Sequence, residues 1–188
     1  MPDIRLFIAI ETPADIRAQI AQIQGRLRES GADVRWEPEE KLHATLKFLG
    51  NTPDEKVQPV ADALELVSRQ HTRCTITYTN LGCFPTSRSP RVVWIGIEDP
   101  SEALRALFLD IEESMASLGF ERETRPFHPH LTLGRVKGSR NLGRLLAMLK
   151  TVTFQSQPVI VPEIALVRSD LRPSGSVYTT LKAIPLMT

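Results

Sequence analysis

One short pattern occurs twice in this chain and constrains it more than any other feature. His43-Ala-Thr-Leu46 returns as His130-Leu-Thr-Leu133, 87 residues later. The same offset of 87 carries Ile8, Ile10, Glu11 and Pro13 onto Ile95, Ile97, Glu98 and Pro100, with no gap in between. A third echo sets residues 180–184 at 87 positions after residues 93–97. Two copies are too few for a solenoid, which needs about three stacked units. At 188 residues the chain has the length of one domain, and it can bury about 70% of its unfolded surface. The spacing therefore predicts a single bilobal domain over residues 1–188, with pseudo-twofold symmetry and a repeat offset of 87.

Each copy reads alike. Residues 5–10 are β-branched and aromatic, hence a strand. Thr12 then reads as a helix cap, with Pro13 at the first helical position and Asp15 three residues after the cap. Asp99, Pro100 and Glu102 repeat that arrangement. Ile16, Ile20, Ile23 and Leu27 make one apolar stripe, and Leu104, Leu107, Ile111, Met115 and Leu118 make a second. Gly31 and Gly119 mark the helix ends. The motif strand follows, then helices starting at residues 52–55 and 139–141, the second reaching about Lys150. Strands over 73–80 and 159–167 are expected to close the two halves, and the turn-rich segments 84–90 and 172–175 to form hairpins. The pattern predicts an α+β fold: two pseudo-symmetric lobes, each a largely antiparallel sheet with helices on its outer face, and a cleft between them.

Composition excludes several classes. Lys plus Arg number 23 against 22 Asp plus Glu, a net charge of +1, so the chain as a whole is no electrostatic glove for nucleic acid. Any anion site is local, and affinity for a nucleic acid of any kind is expected to be modest with a shallow salt slope. With 41% hydrophobic and 24% charged residues, the composition is that of an ordinary globular protein. The longest apolar run near the start, Leu6 to Ile10, is too short for a signal-peptide core or a membrane span. Cys74 and Cys83 make neither a disulfide framework nor a zinc knuckle. Two free thiols in a reducing compartment, and so a cytoplasmic protein, are the expectation.

On a strand, residues two apart share a face. His43 and Thr45 therefore share one, His130 and Thr132 share another, and the leucines turn to the core. Pseudo-symmetry offers a route for both His/Thr pairs to meet in one cleft. Two imidazoles and two hydroxyls suit phosphodiester cleavage without a metal or other cofactor. Near pH 7 one histidine can act neutral as general base while the other, protonated, acts as general acid. The threonine hydroxyls can bond the non-bridging phosphate oxygens. Arg135 can neutralise the phosphate only if a bend or the strand's end brings it inward, since five residues after His130 is the wrong parity. Lys47, two after Thr45, keeps the motif face on a regular strand.

The paired His-x-Thr-Leu motifs resemble those of the 2H phosphoesterase superfamily. RLFIAIETP, LHATLKFLG, LGCFPTSRSPRVVW, FHPHLTLGR and LVRSDLRPSGSVY, in that order along the chain, resemble the RNA 2′,3′-cyclic phosphodiesterases, historically called 2′-5′ RNA ligases. The resemblance implies metal-free opening of a 2′,3′-cyclic phosphate at an RNA end to a 2′-phosphate. It implies His43 as proton donor to the leaving 3′-oxygen and His130 as the group that activates water. RNA 3′ ends or cyclic nucleotides would be the substrates, and a monomer without membrane contact the working form. Residue chemistry alone supports the pair and leaves the roles open. It also leaves open the reverse 2′-5′ joining of RNA ends, a non-catalytic nucleotide or RNA-end binding module, and a metallophosphodiesterase.

The remaining candidates read more plainly. His128, separated from His130 by a proline and without a nearby ligand set, is a cleft-edge group rather than a metal ligand. His71 reads as solvated, and Trp36 and Trp94 as core or lobe-junction residues. Phe48 lies opposite the motif face if the strand is regular. Phe84 or Phe127 is placed to line the mouth and stack on a base. Arg168 and Arg172 flank the last turn, either solvated or against an RNA backbone.

Overall fold

The apolar run Leu6–Ile10 forms the centre of β1 (Ile4–Glu11), which has a strand along each edge and apolar side chains packed on both faces. Leu6, Ile8 and Ile10 join the main core beneath the helices, while Phe7 and Ala9 point to the other face and pack on Ala165 and Val167. The computed structural model describes residues 3–86, 88–173 and 175–188. Ser87 and Ser174, one in each turn-rich segment, lie outside the described residues.

The chain continues through α1 (Ala14–Arg28), β2 (Val34–Trp36), β3 (His43–Thr52), α2 (Val57–Ser68), β4 (Cys74–Phe84), β5 (Val92–Glu98) and α3 (Ala103–Ser117). It ends with β6 (His130–Val136), α4 (Leu142–Thr151), β7 (Val159–Val161), β8 (Glu163–Arg172) and β9 (Gly175–Pro185). The paired strands run in the order β7-β4-β5-β6-β3-β1-β8-β9, with β2 added to β6, and every pairing is antiparallel. The order is symmetric about the β6/β3 junction. The apolar stripes of all four helices (Ile16, Ile20, Ile23 and Leu27 in α1, Leu107 and Ile111 in α3) enter one core with one face of the sheet. The other face carries the motif residues. This is the α+β arrangement expected from the sequence, and no helix among the described residues is long and apolar enough to cross a membrane.

The closing strands depart from expectation. Residues 159–167 are not one strand. Pro162 has no N–H to give to a ladder, and it separates β7, which pairs with β4, from β8, which pairs with β1 and β9. Likewise β4 leaves the first half to pair with β5. The strands on each side of the junction therefore come from both halves of the chain.

Helix starts differ in detail as well. Pro13 occupies the cap position of α1, and the Thr12 hydroxyl lies 3.1 Å from the buried Tyr78 hydroxyl instead of capping. At α3 the helix begins later than Pro100 suggested, after Glu102 in the left-handed region. Asp99 still serves its N-terminus, its carboxylate accepting the Leu104 N–H at 2.6 Å and the Ser101 N–H at 3.0 Å. Gly31 and Gly119 follow their helices with φ of +68° and +86°, a conformation that disfavours side chains.

Candidate active site

The two motif strands meet at a single registered pair, Ala44 with Leu131. In an antiparallel pair this sets His43 opposite Thr132 and Thr45 opposite His130, so the two histidines are diagonal neighbours, about 7–8 Å apart at the backbone. Only the first residues of β3 and β6 overlap. The centre of the sheet is thus built from the motif itself, and the four predicted side chains share its open face.

The rings are set by a repeated device. His43 Nδ1 lies 2.7 Å from the Lys41 carbonyl and His130 Nδ1 lies 2.6 Å from the His128 carbonyl. A carbonyl only accepts, so Nδ1 carries the proton in both rings and Nε2 is left for chemistry. Neutral His43 then accepts at Nε2 from the Thr45 hydroxyl, 3.1 Å away. Lys41 and His128 are themselves 87 apart. His128 therefore orients its neighbour through its backbone, and its ring packs 4.7 Å from Trp94 and 5.2 Å from Phe84.

Beyond the threonines the alternation fails in both strands at equivalent places. In β3 the register steps from Thr45 opposite Ala9 to Lys47 opposite Ile8, leaving Leu46 as a bulge. In β6 it steps from Thr132 opposite Trp94 to Gly134 opposite Val93, leaving Leu133 as the bulge. The Leu133 carbonyl is held by the Glu37 N–H at 2.9 Å and by the buried Gln24 amide at 2.7 Å. A bulge adds one residue to one strand and so inverts the facing of the residues beyond it.

Three expectations change for that reason. Lys47 leaves the motif face: it is buried on the helix side, its ammonium 2.7 Å from Glu112 and 2.8 Å from the Glu121 carbonyl. Phe48, expected opposite, stands 62% exposed on the motif face, 6.0 Å from the Phe7 ring. Arg135 obtains the inversion it needed: it pairs with Val92 two positions from Trp94 and shares the face of Thr132. Its guanidinium meets Glu37 at 3.7 Å.

Each histidine sits among aromatic rings. Phe7 stacks on His43 at 4.9 Å, with Tyr178 edge-on at 5.2 Å. Phe84 approaches His130 edge-on at 5.0 Å, and Trp94 lies 6.4 Å from it. Trp94 is thus a wall of the site rather than core. Phe127 stacks on Phe108 of α3 at 4.0 Å, away from the mouth. Phe7, Glu11 and Tyr178 carried no signal at sequence level, because they come from strands whose pairing is long-range. With Lys41, His43 and Thr180 they line a pocket of roughly 140 Å³ beside His43.

Outside the site, His71 is not simply solvated; its Nε2 lies 2.7 Å from Asp110. Trp36 is half-buried under the Arg28 guanidinium. Arg168 is taken up by Asp170 at 2.7 Å, and Arg172 is exposed. Cys74 and Cys83 are free thiols, and burial raises both, Cys74 to about 11. Among the described residues no group of three or more His, Cys, Asp or Glu is placed to hold a metal ion.

Burial pushes both site imidazoles below the ordinary histidine value. For His43 the Lys41 carbonyl and the Glu11 charge oppose the shift. For His130 the His128 carbonyl opposes it, while the charges of His128 and Arg125 add to it. The surrounding charges thus favour a proton on His43 and disfavour one on His130. Both folded values lie below the unfolded one, about 6.5, so just below that pH the unfolded chain binds more protons than the folded one. Stability is therefore complete above about pH 6.5 and falls as pH drops toward the folded values. Urea midpoints at about pH 7.5 and 5.5, on either side of that value, should show a drop that His43→Gln reduces. An unchanged drop in the variant contradicts the assignment.

Comparison with known proteins agrees with the geometry. A family model described as LigT like Phosphoesterase matches residues 10–94 and again 95–178. The chain is 34% identical over 186 residues to an RNA 2′,3′-cyclic phosphodiesterase of Methanothermobacter thermautotrophicus, covering 97% of this chain and 99% of that one. It is 36% identical over 182 residues to a protein of the same name from Methanocaldococcus jannaschii, covering 95% and 99%. Among solved structures, a Thermus thermophilus protein superposes with a TM-score of 0.81 at 27% identity, over 97% of both chains. Escherichia coli LigT complexed with 3′-AMP superposes with a TM-score of 0.76 at 30% identity, over 99% of both chains. Two motif strands, two histidines presented alike and two matches to one family model lead to the same place: the chain belongs to the LigT-like phosphoesterase family.

Proposed function

We propose that the protein hydrolyses the 2′,3′-cyclic phosphate at an RNA end to a 2′-phosphate, with His43 as general acid and His130 as general base. The observation that carries this reading is the mirrored presentation of two Nε2 atoms, each ring fixed through Nδ1 to the carbonyl two residues before it. A phosphorus held between them has an imidazole on either side, as in-line displacement requires. Water attacks phosphorus and gives its proton to His130 Nε2. The P–O3′ bond breaks, and the departing 3′-oxygen takes the proton from His43 Nε2. The products are a 2′-phosphate and a 3′-hydroxyl; His43 ends neutral and His130 protonated, and exchange with solvent restores the start.

The Thr45 and Thr132 hydroxyls and the Arg135 guanidinium hold the non-bridging oxygens, Thr45 turning from His43 Nε2 to the phosphate as substrate enters. Opposite local charges support the division of roles: Glu11 favours protonated His43, and Arg125 favours neutral His130. The names of the curated relatives and the 3′-AMP complex of E. coli LigT support the ligand class. Phe48 and the Phe84–Trp94 pair offer rings on which bases can stack. Both histidines come from one chain, so a monomeric, bilobal domain is a complete catalyst, and neither acid nor base needs a metal.

The test is turnover of a short RNA ending in a 2′,3′-cyclic phosphate in excess EDTA. Rates with and without chelator should agree closely. Loss on chelation with recovery on added metal overturns the reading.

A further inference from the structure

β2 brings Arg35 directly opposite Arg135 on β6. Directly opposed residues on neighbouring strands share a face, and like charges there are destabilising. The face is that of Thr132, which holds the motif residues. A third cation joins them where the β8–β9 hairpin leans in. A Cβ built on Gly175 would lie 3.2 Å from Arg35 Nη2 and 3.7 Å from Lys41 Nζ. The two cations therefore stand within about 7 Å of each other, close enough to repel.

Among the described residues neither Arg35 nor Lys41 has a carboxylate within ion-pair distance, and Arg135 has only Glu37, at 3.7 Å. The chain path gives the cluster a direction. Arg35 lies on β2, Lys41 in the turn that follows, and His43 starts β3, with Lys41 and His43 lining the same pocket. Three cations gathered with one acid between them, the Glu37 that meets Arg135, leave repulsion that an anion would relieve, in a protein of net charge +1.

We propose that Arg35 and Lys41, adjoining Arg135 at the reactive phosphate, form a subsite for the phosphodiesters on the 5′ side of the cyclic end, so that an oligonucleotide is preferred over a cyclic mononucleotide. This rests on the RNA-end reading above and makes it specific. The cluster adds backbone contacts at one edge of the site, beyond the few that the overall charge suggested. Each contact contributes about 0.7 to the slope of log affinity against log salt for a single strand.

The experiment compares wild type with Arg35→Gln and Arg35→Glu on two substrates, a 2′,3′-cyclic mononucleotide and a trinucleotide ending in the same cyclic phosphate. Arg35→Gln should raise KM for the trinucleotide about tenfold, with kcat and all mononucleotide parameters unchanged; Arg35→Glu should raise it further. Lys41→Gln, combined with Arg35→Gln, should deepen the loss on the trinucleotide. In parallel, fluorescence anisotropy of a 5′-labelled trinucleotide 2′-phosphate should give a salt slope smaller by about 0.7 in Arg35→Gln.

Trinucleotide KM and salt slope unchanged in both Arg35 variants overturn the subsite, as does an equal loss on both substrates. If wild type turns over neither substrate, the hydrolase reading fails, and the anisotropy comparison still decides the subsite.

Discussion

Replacing His43 or His130 by alanine should lower the rate of cyclic-phosphate opening by about 10²–10⁴-fold each, the usual contribution of one positioned acid or base. The two losses should not add in the double variant, because acid and base act in one transition state. Nucleotide affinity should change little. The hydroxyls, Arg135 and the aromatic walls remain, and Phe7 and Tyr178 still pack on each other at 5.1 Å. The two single variants should also differ in pH dependence. Without His43 the rate should lose the limb that requires a protonated acid; without His130 it should lose the limb that requires a neutral base. Rates close to wild type in either variant would remove that histidine from the chemistry. The same substitutions separate a catalyst from a binding module, since a binder has no rate to lose.

The second large effect concerns Lys47, which strict alternation places on the motif face and the structure places beneath it. Its side chain and that of Glu112 are 4% and 7% exposed. Glu112 also accepts the Glu123 N–H at 2.9 Å, so the pair ties β3 and α3 to the segment that leads toward His130. Lys47→Met leaves the Glu112 carboxylate buried without its cation, and breaking a buried pair in this way costs about 3–5 kcal/mol. For a chain of this size that lowers Tm by roughly 6–20 °C. Lys47→Met with Glu112→Leu should recover much of the loss, because an apolar pair of similar volume leaves no orphaned charge. A single variant within about 1 kcal/mol of wild type in urea denaturation, well short of that cost, would contradict the strut. So would a double variant no more stable than the single one.

These two sites show where sequence reasoning was sufficient and where it stopped. The His-x-Thr pairs were legible because alternation holds over their three residues and because the repeat placed them equivalently. One position later both strands bulge, at Leu46 and Leu133. Neither is a glycine, and no local turn chemistry marks them, so period-two reading carried Lys47 to the wrong face and Phe48 away from the right one. Arg135 was in doubt for the same cause and is resolved by it. The helices were legible from their stripes. The exchange of β4 and β8 between halves was not, since edge pairing is long-range and only Pro162 marked the break. Lys41 and Arg35 carried no signal in the sequence, and only strand register sets Arg35 against Arg135.

The most direct test of the two-histidine account is to identify the terminal phosphate formed from an RNA ending in a 2′,3′-cyclic phosphate, using wild type, His43→Ala and His130→Ala side by side. Wild type should give a 2′-phosphate, and either variant almost no product. A 3′-phosphate would contradict the leaving group assigned to His43, and product formed at the wild-type rate by either variant would contradict the mechanism itself.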